Sequence, residues 1–329
     1  MRLLVLTDHA GHSASNSLYA LVRALVADPR IAEVRVASRG TPANARFFAA
    51  EDARSSLSAA RAAEDFAYSR DGLAFAPQRL AETRTTWADA VLLRIPHPVP
   101  VDWFAYLREA FGDLPIVNRP EGIAATTSKA WLLEVPELCA PMALCRTPAE
   151  VVAFAKTRDA VLKPLEGYGG RGILRVRAGE VELDTVRVPL EAWPAHPLAR
   201  HAYLAVEYLP GVREGDKRIV VCGGEVLGAV NRVPAAGKWL ANVAQGGHAE
   251  LSTLTPAERH IVDVLEPRLS PLGVVMYGVD TLVGLDGERV LSEVNTMSIG
   301  GLLDLPPGPD GHSAAERAAG HLFDALTAS

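Results

Sequence analysis

Short apolar runs alternate with helix-like segments in the first third of the chain. Residues 3–6, 33–37 and 90–94 are typical of buried strands, whereas apolar residues recur every three or four positions over residues 16–27. This alternation predicts an α/β domain with a parallel, Rossmann-like sheet. Residues 42–84 are polar and alanine-rich, and we expect them to be partly helical.

The carboxyl ends of these strands would form the ligand edge of such a sheet. Asp8 and Arg94 stand at two of these ends and are candidates for ligand contacts. A helix N-cap for Asp8 and a surface charge for Arg94 are the alternatives.

After about residue 122 the pattern changes to pairs of strands joined by glycine-containing turns. We therefore predict an N-terminal domain over residues 1–122 and an α+β domain over residues 123–329, with a lid subdomain at about 145–205. The predicted strands are 115–118, 159–164, 173–176, 202–209, 215–222, 225–233, 275–283 and 289–294, and the predicted helices are 127–133, 147–156, 255–272 and 313–326.

A glycine-rich loop joins two of these strands. Gly167, Gly169, Gly170 and Gly172 leave few side chains there, so the backbone N–H groups can surround an anion such as a polyphosphate. Lys163, at the end of the preceding strand, would add a positive charge to the same phosphate. The alternative is a tight hairpin in which the glycines only permit positive φ angles.

Three oxygen donors lie on two strands joined by a tight turn. Asp280 is inside the first strand, and Glu293 and Asn295 end the second, two residues apart and so on one face. Carboxylate and amide oxygens suit Mg²⁺, which takes its other ligands from water and phosphates. Acids inside apolar strands are costly unless paired, so metal binding or a salt bridge is expected.

Composition narrows the class of protein. The chain has 329 residues, of which 49% are hydrophobic and 22% charged, with a formal net charge of −6. This balance, without a Lys/Arg cluster, disfavours a nucleic-acid partner. The three cysteines form no CxxC pair, which favours a cytoplasmic setting, and the short first apolar run predicts neither a signal peptide nor membrane attachment.

Taken in order, several motifs resemble those of the ATP-grasp superfamily, and most closely those of the bacterial glutathione synthetases. The N-terminal domain follows the family outline more loosely, although residues 117–120 and Lys129 match. The segments that carry the resemblance are 162–170, 207–211, 215–218, 231–234, 278–280 and 293–295.

The resemblance implies an ATP-dependent ligase that converts a carboxylate to an acyl phosphate, which an amine then attacks to form an amide. Its cofactors would be ATP and two Mg²⁺ ions, with Mn²⁺ as an alternative. Its substrates would be an acidic dipeptide or amino acid and an amine acceptor, and we expect a homo-oligomer. The carried-over roles are phosphate binding by Lys129, Lys163, Gly169 and Gly170, adenine contact by Glu207, Tyr208 and Leu209, ribose contact by Asp216, charge stabilisation by Arg218 and Arg232, and metal binding by Asp280, Glu293 and Asn295.

The sequence departs from the family pattern on the acceptor side. Leu240 stands where the family loop usually has an arginine, residues 296–301 replace a Thr-Ser-Pro-Thr-like run, and residues 94–97 replace an Arg-Lys-Asp-like run. Alternative functions are therefore ligation of another amino acid or peptide, a kinase of the same fold, or a non-catalytic nucleotide-binding protein. The small-residue loop 234–247 is expected to be mobile and to cover the site.

Overall fold

The computed structural model describes residues 1–166, 171–183, 186–234 and 248–328. Gly169 and Gly170, two of the predicted phosphate-binding residues, lie outside the described residues. The same holds for residues 235–247 of the predicted covering loop, including Leu240. Gly167 of the glycine-rich loop also lies outside the described residues, and all other predicted site residues are described.

A six-stranded sheet forms the N-terminal part of the chain, and four of its strands are parallel, as predicted. Their apolar runs are buried on both faces, which is typical of parallel strands covered by helices. The strand order is β4-β3-β2-β1-β5-β6. The strands are β1 (Arg2–Thr7), β2 (Glu33–Ser38), β3 (Leu57–Arg61), β4 (Leu80–Thr83), β5 (Ala90–Arg94) and β6 (Ile116–Val117).

The antiparallel strands β3 and β4 were missed in the section expected to be partly helical. Alanine fills three of the nine positions in these short strands, and its weak β preference hides the period of two. Helical structure in this section is limited to one short helix and a few 3-10 turns.

Seven α-helices lie among the described residues. Three of them begin with a capping box, in which a Thr or Ser side chain and a Glu three residues later satisfy the first N–H groups. The segment predicted as a helix at 127–133 is a 3-10 turn over Lys129–Glu134, and the helix before it was missed. The helices are α1 (Leu18–Ala27), α2 (Ala45–Phe48), α3 (Val101–Phe111), α4 (Pro120–Thr126), α5 (Pro148–Ala155), α6 (Pro256–Leu269) and α7 (Ala314–Thr327).

A second sheet, which we call the lid sheet, contains the predicted strand–loop–strand unit. Its β8 and β9 pair antiparallel around the glycine-rich segment, as the sequence predicted. The order is β11-β10-β9-β8-β12-β7. The strands are β7 (Met142–Cys145), β8 (Ala160–Pro164), β9 (Leu174–Arg177), β10 (Glu180–Leu183), β11 (Val186–Pro189) and β12 (Tyr203–Glu207).

A third sheet, the base sheet, is antiparallel throughout and has the order β15-β14-β13-β16-β17. Its far face packs on α6 through residues such as Ile219, Val221 and Leu265. The strands are β13 (Asp216–Cys222), β14 (Glu225–Val233), β15 (His248–Ser252), β16 (Met276–Val283) and β17 (Arg289–Asn295).

One hydrophobic cluster joins the two ends of the chain. Helix α7 packs on α1, and residues from β13 and β16 belong to the same cluster as residues of β1 and β2. The division of the chain into two domains at residue 122 remains a prediction, because apolar side chains from both sides of this residue pack in one cluster.

Asn118 links the first sheet to the base sheet. Its Nδ2 donates to the carbonyls of Met276 and Thr296, both at 2.6 Å. Its Oδ1 accepts from the N–H groups of Val275 and Met276, at 2.8 and 2.9 Å. One buried side chain thus holds β6, β16 and the segment after β17 together.

We expect Asn118→Ala to lower the free energy of unfolding by about 3 kcal/mol or more, because it leaves four backbone groups, three of them in buried hydrogen bonds, without their partner. Urea unfolding followed by circular dichroism measures the loss. Asn16→Ala removes a single bond, from the N–H of Leu18, at a partly exposed side chain and is the matched control. Equal losses in the two variants would contradict this role for Asn118.

Candidate active site

A cavity of about 330 Å³ lies between the lid sheet and the base sheet. Eleven of the thirteen predicted site residues line it; the other two, Gly169 and Gly170, lie outside the described residues. The eleven are Lys129, Lys163, Glu207, Tyr208, Leu209, Asp216, Arg218, Arg232, Asp280, Glu293 and Asn295. Residues more than 160 positions apart in sequence are thus brought to one place.

Strand register explains why the polar end of the cavity forms. Asp216 pairs with Arg232, Arg218 with Asp280, and Asp280 with Glu293. Directly opposed residues in an antiparallel sheet point to the same face, and so do residues two apart on one strand. All six charged or amide side chains, including Asn295, therefore project from one face of the base sheet.

Asp280 is at the centre of a buried ion cluster. Arg218 donates both Nε and Nη2 to its carboxylate, and Nη2 of Arg232 lies 3.1 Å from Oδ2. Burial acts to raise the pKa of Asp280, but the two guanidinium groups outweigh it and hold that pKa well below its usual range. Asn295 adds a donor at 3.3 Å, so the carboxylate is ionised and tightly held.

Asp216 is in a different electrostatic position. Its Oδ2 accepts from Arg232 at 2.7 Å, whereas its buried Oδ1 has no hydrogen-bond partner among the described residues. Burial, followed by the negative charge of Asp280, raises the pKa of Asp216 and outweighs the two arginines. Its unpartnered oxygen could accept a hydrogen bond from a ligand in the cavity.

Lys129 does not face solvent, which was the alternative expected for a lone lysine on an apolar segment. Its side chain is 8% exposed, and its Nζ lies 3.1 Å from Oε1 of Glu293. The 3-10 turn that carries it is capped by Ser128. Lys129 therefore places a positive charge beside the predicted metal-binding carboxylates.

Lys163 connects the two sheets. From β8 in the lid sheet, its Nζ donates to the carbonyl and to Oγ of Ser292 in β17, at 3.0 and 3.1 Å. The register of β17 shifts at this point, since Asp280 pairs with Glu293 but Thr281 pairs with Leu291. The bulge leaves Ser292 outside the ladder, so its carbonyl can turn to the lysine. Burial lowers the pKa of the Lys163 ammonium group.

The opposite end of the cavity is apolar. Glu207, Tyr208 and Leu209 lie at the end of β12, where a backbone segment leaves the lid sheet. Periodicity had marked most of the surrounding residues only as core, so sequence reasoning missed them as a wall of the site. These wall residues are Leu132, Cys139, Ala140, Met142, Val161, Ile173, Val206, Val212, Leu282 and Leu291.

A small second cavity adjoins the polar end and shares Lys129, Glu293 and Asn295 with the first. His97 and Met297, from the two segments that depart from the family pattern, line it. Burial, followed by the charges of Lys129 and Arg39, lowers the pKa of His97 to about 3. The imidazole is therefore neutral at physiological pH.

The candidates at the strand ends of the first sheet behave differently from each other. Asp8 caps the following 3-10 turn by accepting from Ala10, which was its alternative role. Arg94 is not a surface charge: it is 4% exposed and donates to the carbonyl of Ile299 at 2.6 Å. Burial lowers the pKa of Arg94 to about 10. Arg94 thereby anchors the segment 296–301.

The polar end contains the three residues that were predicted to bind a divalent ion. Asp280, Glu293 and Asn295 supply hard oxygen donors on one face, while lysines and arginines lie around them. Among the described residues no three His, Cys, Asp or Glu side chains gather as a metal site, so an amide or further oxygens from a ligand would complete the coordination. This fits a metal that is bound together with phosphates.

Comparison with known proteins places this arrangement among similar folds. Residues 128–306 match the family model described as prokaryotic glutathione synthetase, ATP-grasp domain. Among solved structures, D-cycloserine synthetase DcsG superimposes with a TM-score of 0.63 at 15% identity, covering 99% of this chain and 100% of that one. At this identity the likeness concerns the fold alone, and the family model identifies the predicted ATP-grasp domain.

Curated relatives are similar over a longer stretch than the family model. The glutathione synthetase of Parasynechococcus marenigrum is 37% identical over 58% of this chain and 59% of its own length. That of Brucella melitensis biotype 1 is 32% identical over 67% of this chain and 69% of its own length. The match thus spans about three fifths to two thirds of these relatives. No helix in the described part of the chain is long and apolar enough to cross a membrane.

Proposed function

We propose an activity for this chain on the basis of its family: the chain belongs to the prokaryotic glutathione synthetases, whose ATP-grasp domain it matches over more than half its length. It is an ATP-dependent ligase that forms a C–N bond, joining γ-glutamylcysteine to glycine. The observation that carries the proposal is the cavity between the lid and base sheets, which unites eleven predicted site residues from both sheets and the 3-10 turn at Lys129.

ATP would lie along this cavity with its base at the apolar end. Glu207, Tyr208 and Leu209 would frame the adenine, and the unpartnered oxygen of Asp216 would accept from a ribose hydroxyl. Lys129 and Lys163, with Gly169 and Gly170, would hold the phosphates. This orientation directs the γ-phosphoryl group toward the cluster around Asp280.

The family implies a divalent metal together with ATP. We propose that Asp280, Glu293 and Asn295 hold it, as two Mg²⁺ ions or their Mn²⁺ equivalents, and that the metal offsets phosphate charge when bound. Arg218 and Arg232 are fixed by Asp280 and Asp216 in positions that favour negative charge developing nearby. Such preorganised donors stabilise a transition state without reorganising.

In the proposed reaction, a carboxylate oxygen of γ-glutamylcysteine attacks the γ-phosphorus and ADP leaves. The glycine amine then attacks the acyl carbon, phosphate departs with the former carboxylate oxygen, and the amine loses a proton.

The three thiols present are free, in keeping with a cytoplasmic enzyme. Assembly into a homo-oligomer is part of the proposal and is testable by light scattering.

A second candidate is the same ligation with a different acid or amine. It is favoured by one observation: Met297 and Ile299, in the segment 296–301 that replaces the family's hydroxyl-rich run, are buried among apolar side chains. A non-catalytic nucleotide-binding protein is less well supported, because both lysines and all three candidate metal donors line the cavity. A kinase of the same fold is also less well supported, because Arg218 and Arg232 suit the negative charge of an acyl phosphate and its tetrahedral successor better.

A substrate panel tests the proposal. With ATP and Mg²⁺, we expect phosphate release to require γ-glutamylcysteine and glycine together, with glutathione formed in equal amount by mass spectrometry. Other dipeptides and amino acids serve as the comparison set. A different pair giving faster coupled release would move the function to the second candidate, and no release with any pair would refute ligation.

A further inference from the structure

A second polar cluster lies on the far face of the base sheet, behind the cavity. Glu258, in the first turn of α6, is fully buried at its centre. Its Oε2 accepts from Nζ of Lys217 at 2.8 Å, and its Oε1 accepts from Oγ1 of Thr281 at 2.7 Å. Nε of Arg289 lies 3.6 Å from Oε1. A buried carboxylate therefore meets two cations and a hydroxyl there.

Three strand residues of this network, Lys217, Asn231 and Thr281, are sequence neighbours of cavity residues. Lys217 pairs in register with both Asn231 and Thr281, so these three side chains share the far face. Lys217 lies between Asp216 and Arg218 in sequence, Asn231 precedes Arg232, and Thr281 follows Asp280. Fixing the far-face side chains therefore fixes the backbone from which the cavity side chains project.

Arg289, the first residue of β17, connects the cluster to Asn231 in β14. Its Nη2 donates to Oδ1 of Asn231 at 3.2 Å, and its Nη1 donates to the carbonyl of Thr281 at 2.9 Å. Asn231 in turn donates to the carbonyl of Glu214 at 2.9 Å. Gly215 follows with a φ of 105°, and a Cβ there would lie 2.5 Å from Asn231. The entry to β13 is thus packed directly against this network.

Helix capping does not account for the burial of Glu258. In α5 and α7, Glu150 and Glu316 occupy the same capping-box position and are exposed. Only in α6 is this glutamate covered by strands and joined to Lys217, which is 4% exposed. Burying an ion pair carries a desolvation cost that an exposed cap avoids, so the cluster serves more than the helix start.

We propose that Glu258 is a positioning residue for the ligase site: through Lys217, Thr281 and Arg289 it aligns β13, β14 and β16 so that Asp216, Arg218, Arg232 and Asp280 converge. The inference rests on the proposed function for its catalytic consequence. Its geometric part, the alignment of the acidic and basic side chains, concerns nucleotide and metal binding whatever the acceptor substrate is.

A matched pair of substitutions at Thr281 tests this with little risk to folding. Thr281→Val keeps the shape and removes the hydroxyl, whereas Thr281→Ser keeps the hydroxyl. We expect Thr281→Val to lower kcat about tenfold and to weaken Mn²⁺ binding to the ADP complex, measured by electron paramagnetic resonance, with KM for ATP changing less. Thr281→Ser should stay close to the parent enzyme in both measurements.

Glu258→Gln is the stronger variant, with an expected loss in kcat of about 100-fold. Glu150→Gln, which alters the same kind of cap at an exposed glutamate outside the base sheet, should leave kcat unchanged. If Glu258→Gln does not fold, the Thr281 pair decides.

The proposal is overturned if Thr281→Val matches the parent in Mn²⁺ affinity and kcat, or if Thr281→Ser is equally impaired, since packing would then explain the loss. A parent enzyme that makes no glutathione refutes the proposed function only, because Mn²⁺ affinity still reports on the alignment.

Discussion

Asp280→Asn is expected to reduce kcat/KM for ligation by about 1,000-fold or more, equivalent to about 4 kcal/mol of lost transition-state stabilisation. The substitution removes the carboxylate charge proposed to hold the metal. It also leaves Arg218 and Arg232 without the anion to which both are bound. The two arginines and the metal would therefore lose, in one substitution, the carboxylate that holds them in position.

Steady-state kinetics over a series of Mg²⁺ concentrations measures this effect. Asp286→Asn is the matched control, because Asp286 lies in the exposed turn between the same two strands and loses the same charge. The control should keep parental activity and Mg²⁺ activation. A folded Asp280→Asn variant that is activated by Mg²⁺ as the parent is would remove Asp280 from the metal site.

Four of the five strands of the base sheet were predictable from the sequence because their signals are local, whereas β15 was missed. Tight turns at Gly223-Gly224 and around Gly287 define two hairpins, and the period of two then assigns Glu293 and Asn295 to one face. The structure adds Asp280 to that face through its pairing with Glu293. The roles of these residues came from the family resemblance and stay proposals.

Other features depend on contacts between distant segments and leave no local signal. Glu258 has the pattern of an ordinary capping box, and nothing near it in sequence indicates that strands will cover it. Arg94 ends an apolar strand at a position where an exposed charge is normal, yet it is buried against Ile299. The burial of Glu258 and Arg94 depends on how the sheets pack together. The hydrophobic pattern of one segment of sequence carries no information about that packing.

The bulge at Ser292 shows the same limit at the site itself. Strand patterning places Glu293 and Asn295 correctly but treats Ser292 as an ordinary far-face residue. Because the register shifts next to Asp280, the carbonyl of Ser292 instead turns toward the cavity and accepts a hydrogen bond from Lys163. The lid sheet is thereby tethered to the base sheet at the point where phosphates are proposed to bind.

Lys163→Met is expected to raise KM for ATP and the dissociation constant for ADP by about 100-fold, or about 2.7 kcal/mol. Methionine keeps the length of the side chain and its packing but removes the cation. In the described structure that cation is partly buried and bonded to Ser292, so a phosphate would replace a neutral partner with a charged one. The affinity for γ-glutamylcysteine should change much less.

Isothermal titration with ADP, together with KM values for ATP and γ-glutamylcysteine, separates these effects. Ser292→Ala is the control: it removes the hydroxyl acceptor but keeps the carbonyl at 3.0 Å, so nucleotide affinity should stay near that of the parent. Equal weakening of both ligands by Lys163→Met would assign the lysine to holding the two sheets together. A loss of affinity for the nucleotide alone would indicate that the Lys163 charge contacts the phosphates. If Lys163 only held the two sheets together, its loss would weaken the binding of both ligands.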